Sequence, residues 1–125
     1  MKEILAIAGA GALGALGRYG VALWAKANLD GAFPWGTWIA NVVGCLALGF
    51  FMQWALDHPG LPPTLRLAVA TGFLGAFTTF STFSYDTVHA VTTGHAGVAL
   101  ANVAANLVVG LLCAFGGIQM ARLVG

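Results

Sequence analysis

Few side chains in this sequence can do chemistry, and most of those are neutral hydrogen-bond donors. The stretch Gly72-Phe73-Leu74-Gly75-Ala76-Phe77-Thr78-Thr79-Phe80-Ser81-Thr82-Phe83-Ser84 mixes glycines, hydroxyls and phenylalanines inside an apolar run. Thr37 and Asn41 stand at i and i+4 in an earlier run, and Asn102 and Asn106 repeat that spacing in a later one, so each pair shares a helix face. Amides and hydroxyls donate, and phenyl edges are weakly positive. A track of such groups with almost no fixed charge suits a small anion better than a metal cation. An amide as deep as Asn41 must find a partner, either a neighbouring helix or a permeating species.

The glycine and threonine stretch is weak as a helix. Glycine costs roughly 1 kcal/mol against alanine, and Ser and Thr compete for backbone partners. The helix is expected to break there. Inside a bilayer the freed N–H and C=O groups are tolerated only where protein covers them, where they line a polar cavity or where they bind an ion. A kink that merely lets helices pack closely is the alternative. Beyond the break, Phe80 and Phe83 should project to nearly the same side, with Ser81, Thr82 and Ser84 close by.

Charged groups are scarce. Arg18 lies about two turns inside its apolar run, where it must snorkel to headgroups, face a vestibule or pair. Asp86 falls at the same side of an up-down bundle, and an Arg18–Asp86 ion pair would satisfy two buried charges at once. His58, His89 and His95 are expected in loops or at the interface. Cys45 and Cys113 lack paired spacing and read as small buried thiols. Ser81 or Ser84 with His89 on one helix does not make a nucleophile, base and oxyanion site, so an enzyme is not expected.

The elements that must position these groups are membrane helices. The 125 residues are 59% hydrophobic and 7% charged, against about 25% charged for a soluble domain. Apolar segments at about 4–24, 35–56, 65–91 and 97–123 each reach the roughly 20 residues a span needs. The chain therefore reads as one all-α, four-helix transmembrane unit over 1–125. The run after Met1-Lys2 exceeds a signal-peptide core and is taken as a retained first helix. Gly11, Gly14, Gly17 and Gly20 leave a row without side chains along it, where another helix can approach. The loop after it, Lys26 to Pro34, is turn-rich, and the second segment opens on Trp35 and Trp38, which suit the headgroup level. A formal charge of +1 with scattered Lys and Arg leaves no basic stripe, which excludes nucleic acid as a partner. Lys2, Arg66 and Arg122 fall on one side and Lys26, with Arg18 deeper, on the other. So slight a bias fixes orientation weakly, and a chain that inserts both ways can form an antiparallel homodimer.

Three motifs carry a family resemblance. Gly14-Ala15-Leu16-Gly17-Arg18-Tyr19, Gly36-Thr37-Trp38-Ile39-Ala40-Asn41-Val42-Val43-Gly44 and the Gly72 to Ser84 stretch together resemble the Fluc fluoride channels, also called CrcB proteins, over essentially the whole chain. The resemblance implies a dual-topology antiparallel homodimer in a prokaryotic cell (inner) membrane, with two fluoride pores and a passive export role. It implies Phe80 and Phe83 as pore aromatics, Asn41 as the pore amide and Arg18 near a vestibule. It further implies a structural sodium ion at the dimer centre, held by the main-chain carbonyls of Gly75 and Thr78. Thr37, Ser81, Thr82 and Asn106 complete the pore set expected from the polar track. The family often has Glu at Asp86, aromatic or hydroxyl residues at Asn102 and Asn106, and Ser at Gly110. The runner-up is a small multidrug-resistance transporter, also four helices with dual topology. That reading needs a membrane carboxylate in the first helix, whereas Glu3 lies at the terminus.

Overall fold

The structure, a computed structural model, describes residues 1–125, and all of its regular elements are helical. Four helices are long and apolar enough to cross a membrane: Lys2–Asn28, Trp35–Asp57, Pro63–Thr92 and Ala96–Val124. Each runs a little beyond its apolar segment. Lys26, Ala27 and Asn28, expected in the first loop, form the last turn of the first helix, where Asn28 Nδ2 donates to the Trp24 carbonyl at 2.9 Å. Polar residues that end a hydropathy run can still continue a helix, and a cation such as Lys26 favours its C-terminal dipole.

The connections are short and closed by local chemistry. Pro63 takes the first helical position of the third span, where its missing N–H costs nothing. That span ends in a Schellman motif: Gly94 has φ of 82°, its N–H donates to the Val91 carbonyl, and the His95 N–H donates to the Ala90 carbonyl at 2.7 Å. Arg66 reaches back from the third span to the end of the second, with Nη2 donating to the Ala55 carbonyl at 2.9 Å.

Small residues bring the helices together. The second helix packs most extensively against the C-terminal part of the fourth, and the first against residues 67–74 of the third. A Cβ on Gly117 would collide with the Leu46 carbonyl, and one on Gly49 with the Ala114 carbonyl, so the two backbones touch where neither helix has a side chain. Gly14 likewise lies against the Phe73 carbonyl. Most large apolar side chains point outward, as they do when the solvent is lipid.

Two segments are wound as wide π turns, Leu67–Leu74 and Ala105–Val109. Such turns shift the helix face by one residue and are frequent at functional sites. The first leads into residues 75–77, after which helical geometry stops. Thr78 and Thr79 are extended, with ψ of 156° and 115°, and the helix Phe80–Thr92 begins anew.

Candidate functional site

Thr78 and Thr79 free several backbone groups, and nearby side chains take up part of them. The Leu74 carbonyl accepts from both the Thr78 N–H, 3.1 Å, and Thr78 Oγ1, 3.0 Å. Arg18 Nε donates to the Ala76 carbonyl at 3.2 Å. Thr79 is the N-cap of the following helix, its Oγ1 accepting from the Thr82 N–H at 3.2 Å. No hydrogen bond ends on the Gly75 or Thr78 carbonyl, because the Thr79 N–H turns to Asn41 and the Thr82 N–H to the cap.

Asn41 closes over the extended residues from the second helix. Its Oδ1 accepts from the Thr79 N–H at 2.8 Å, and its Nδ2 donates to the Thr79 carbonyl at 3.1 Å and to Asn106 Oδ1 at 3.0 Å. One amide thus satisfies both polar groups of an extended residue, as a neighbouring strand would. Gly44, one turn further along the second helix, is in contact with Thr78 Cγ2. The amide pair of the fourth span joins the same network: Asn106 Nδ2 donates to the Asn102 carbonyl and to Asn102 Oδ1, both at 2.9 Å.

These groups border a cavity of about 250 Å³ lined by Asn41, Thr78, Thr79, Phe80, Phe83 and Asn106 among others. The Phe80 and Phe83 rings meet with centroids 5.6 Å apart and planes tilted by 53°. Their surroundings differ sharply: Phe83 is 9% exposed, whereas Phe80 is 76% exposed on the surface of the single chain. The remaining expected pore residues lie to either side. Ser81 is exposed, with its Oγ 3.3 Å from Thr79 Oγ1, and Thr82 Oγ1 accepts from Thr79 Oγ1 at 3.1 Å, so both belong to the cap. Thr37 lies one turn from Asn41 and donates to Asp86 Oδ2 at 3.2 Å.

The expected Arg18–Asp86 ion pair is absent from the chain. The only ion pair joins the N-terminus to Glu3, while Arg18 is engaged by the Ala76 carbonyl and Asp86 by Thr37. A freed carbonyl beside Arg18 and a hydroxyl beside Asp86 are the nearer partners. Asp86 instead borders a second cavity of about 270 Å³ with His89 and His95, at the end of the span. Sequence reasoning left Thr79 and Thr87 without a role. Nothing in the spacing of a lone threonine distinguishes an N-cap or an amide partner from an ordinary helix residue. Thr79→Val is expected to lower stability by about 1 kcal/mol through the lost cap. Thermal unfolding in detergent will read this, and Thr79→Ser should remain at the native midpoint.

A family model described as "CrcB-like protein, Camphor Resistance (CrcB)" matches residues 5–118. A Dehalococcoides mccartyi protein named fluoride-specific ion channel FluC is 44% identical over 124 residues, which is 99% of this chain and 95% of that protein. Fluoride-specific ion channel FluC of Geobacter metallireducens is 44% identical over 122 residues, 98% of each chain. Fluoride-specific ion channel FluC 1 of Moorella thermoacetica is 45% identical over 119 residues, covering 95% of this chain and 85% of its own.

Proposed function

This chain belongs to the CrcB-like family, and from that premise we propose that it is a passive, fluoride-selective channel that lets cytoplasmic fluoride leave down its electrochemical gradient. The observation that carries the reading is the meeting of Asn41, Asn106, Phe80 and Phe83 around one cavity beside the extended Thr78 and Thr79. Fluoride is small and strongly hydrated, so passage requires donors that replace its water yet hold it weakly enough for release. Amides, hydroxyls and phenyl edges do so without a fixed cation to trap the ion. Thr37, Ser81 and Thr82 extend the hydroxyl track, and Arg18 provides the positive potential that draws anions toward it.

The working unit in this reading is an antiparallel homodimer with two pores in a bacterial inner membrane. A phenylalanine as exposed as Phe80, next to a buried Phe83, supports a second copy closing the cavity from outside. The Gly75 and Thr78 carbonyls, left without hydrogen-bond partners, are neutral oxygen ligands of the kind that unwound membrane helices offer to sodium. They would hold a structural Na⁺ between the two copies, where its charge would balance backbone oxygens that lipid cannot solvate. A proton-coupled drug transporter has no matching carboxylate here, since Glu3 is half exposed and paired with the N-terminus at 3.8 Å.

The deciding experiment is fluoride efflux from liposomes containing the purified protein, read with a fluoride electrode after valinomycin addition, with chloride-loaded vesicles as control. Fluoride but not chloride should leave. Phe80→Ile should remove most of the efflux while leaving the fold intact, because the ring it replaces makes little contact inside its own chain. Folded protein that releases no fluoride would refute the channel reading.

A further inference from the structure

Resting on that channel reading, the geometry points to Asn102 as a positioning residue for permeation, one that keeps the Asn106 amide, and through it Asn41, turned in a single direction. Asn102 is the one buried polar side chain of the protein, 1% exposed. An amide buried this far within a span is costly unless both of its ends are paired. They are: Nδ2 donates to Thr87 Oγ1 at 3.0 Å, and Oδ1 accepts from Asn106 Nδ2 at 2.9 Å. Thr87 Oγ1 in turn donates to the Phe83 carbonyl at 2.8 Å.

The relay begins and ends on the same stretch of backbone. At one end the Thr79 N–H can only donate, and Asn41 Oδ1 receives it. At the other the Phe83 carbonyl can only accept, and the Thr87 hydroxyl donates to it. Main-chain groups of fixed polarity therefore set the sense of every amide between them, because reversing one would oppose two donors or two acceptors. Asn106 Nδ2 faces Asn102, and so its Oδ1 faces Asn41 rather than the cavity.

That orientation matters for an anion. Asn41 Nδ2 divides its hydrogens between the Thr79 carbonyl and Asn106 Oδ1. A fluoride beside it takes the place of one of these neutral oxygen acceptors, which keeps the number of hydrogen bonds level and avoids a deep trap. Without the Asn102 side chain, Asn106 loses one of the two acceptors of its Nδ2 and keeps the Asn102 carbonyl and Asn41 Nδ2, so the amide is held at fewer points and turns more readily. Its oxygen can then enter the cavity, where an acceptor repels fluoride.

The test uses full-length native protein, Asn102→Leu and Thr87→Val, each reconstituted at less than one channel per vesicle. The fraction of vesicles that empties counts active channels, and the rate per active vesicle measures transport. A purely structural role would lower only the first. Asn102→Leu should slow the rate about tenfold with the emptied fraction preserved, the scale of one lost buried hydrogen bond, and Thr87→Val should slow it about threefold. Native rates in Asn102→Leu would overturn the relay while leaving the channel reading intact. If Asn102→Leu does not fold, Thr87→Val decides, and a native rate there overturns the relay. Native protein that carries no fluoride overturns the channel reading and the relay together.

Discussion

Asn41→Leu is expected to slow fluoride transport on the order of a hundredfold and to destabilise the fold by about 2–4 kcal/mol. Leucine has the same side-chain heavy-atom count and branching as asparagine, so most of the loss comes from hydrogen bonding. It strands the N–H and C=O of Thr79, both now paired to one amide, and leaves Asn106 Oδ1 without its donor. Each stranded group costs about 1–3 kcal/mol, and relaxation of the extended residues recovers enough partners to bring the three-group total down to about 2–4 kcal/mol. The extended residues would then shift to recover partners, moving Phe80 and Phe83 with them. A barrier raised by about 3 kcal/mol slows passage on the order of a hundredfold. Asn41→Asp separates the two roles. Its carboxylate still accepts from the Thr79 N–H but has no hydrogen for the Thr79 carbonyl, and its charge repels an anion. It should unfold between the native and leucine midpoints in detergent and yet pass no fluoride. Native-like efflux in either variant would remove Asn41 from the pore.

The physical signals that were legible in the sequence are those that repeat. Apolar runs of span length gave four helices, and the i, i+4 spacing of Asn102 and Asn106 placed both amides on one face, where they hydrogen-bond to each other. Glycines at three-residue spacing marked a face of close approach: Gly11, Gly14 and Gly17 all lie against the third span, while Gly20 meets nothing. What the sequence did not disclose depends on three-dimensional competition for partners. Arg18 and Asp86 had matching depth, but a freed carbonyl and a hydroxyl stood nearer to each. The π turns at Leu67–Leu74 and Ala105–Val109 leave no periodic trace, because adding one residue to a turn alters the face without altering composition. Thr79 and Thr87 are ordinary residues in a hydroxyl-rich helix, and their roles follow from the asparagines that meet them.

The second large effect concerns a single methyl group. A Cβ on Gly44 would overlap Thr78 Cγ2, and Phe77 Cδ1 stands 3.6 Å from the same point. Thr78 cannot easily rotate away, because its Oγ1 donates to the Leu74 carbonyl at 3.0 Å. Gly44→Ala therefore must either break that bond or push the extended segment outward, a cost of about 1–3 kcal/mol for overpacking. Either response displaces the Thr78 carbonyl, one of the two oxygens proposed to hold sodium, and loosens the cavity wall. Fluoride efflux should fall at least tenfold, a threshold that about 1.4 kcal/mol reaches. Thr78→Ser alone removes Cγ2 and keeps Oγ1, so it should transport close to the native rate. The double variant Gly44→Ala/Thr78→Ser should recover most of what the alanine loses, because the added methyl then occupies the space the threonine methyl vacated. Recovery would tie the glycine requirement of the second helix to the extended backbone of the third. An equally impaired double variant would mean that Gly44 is needed for some contact other than Thr78.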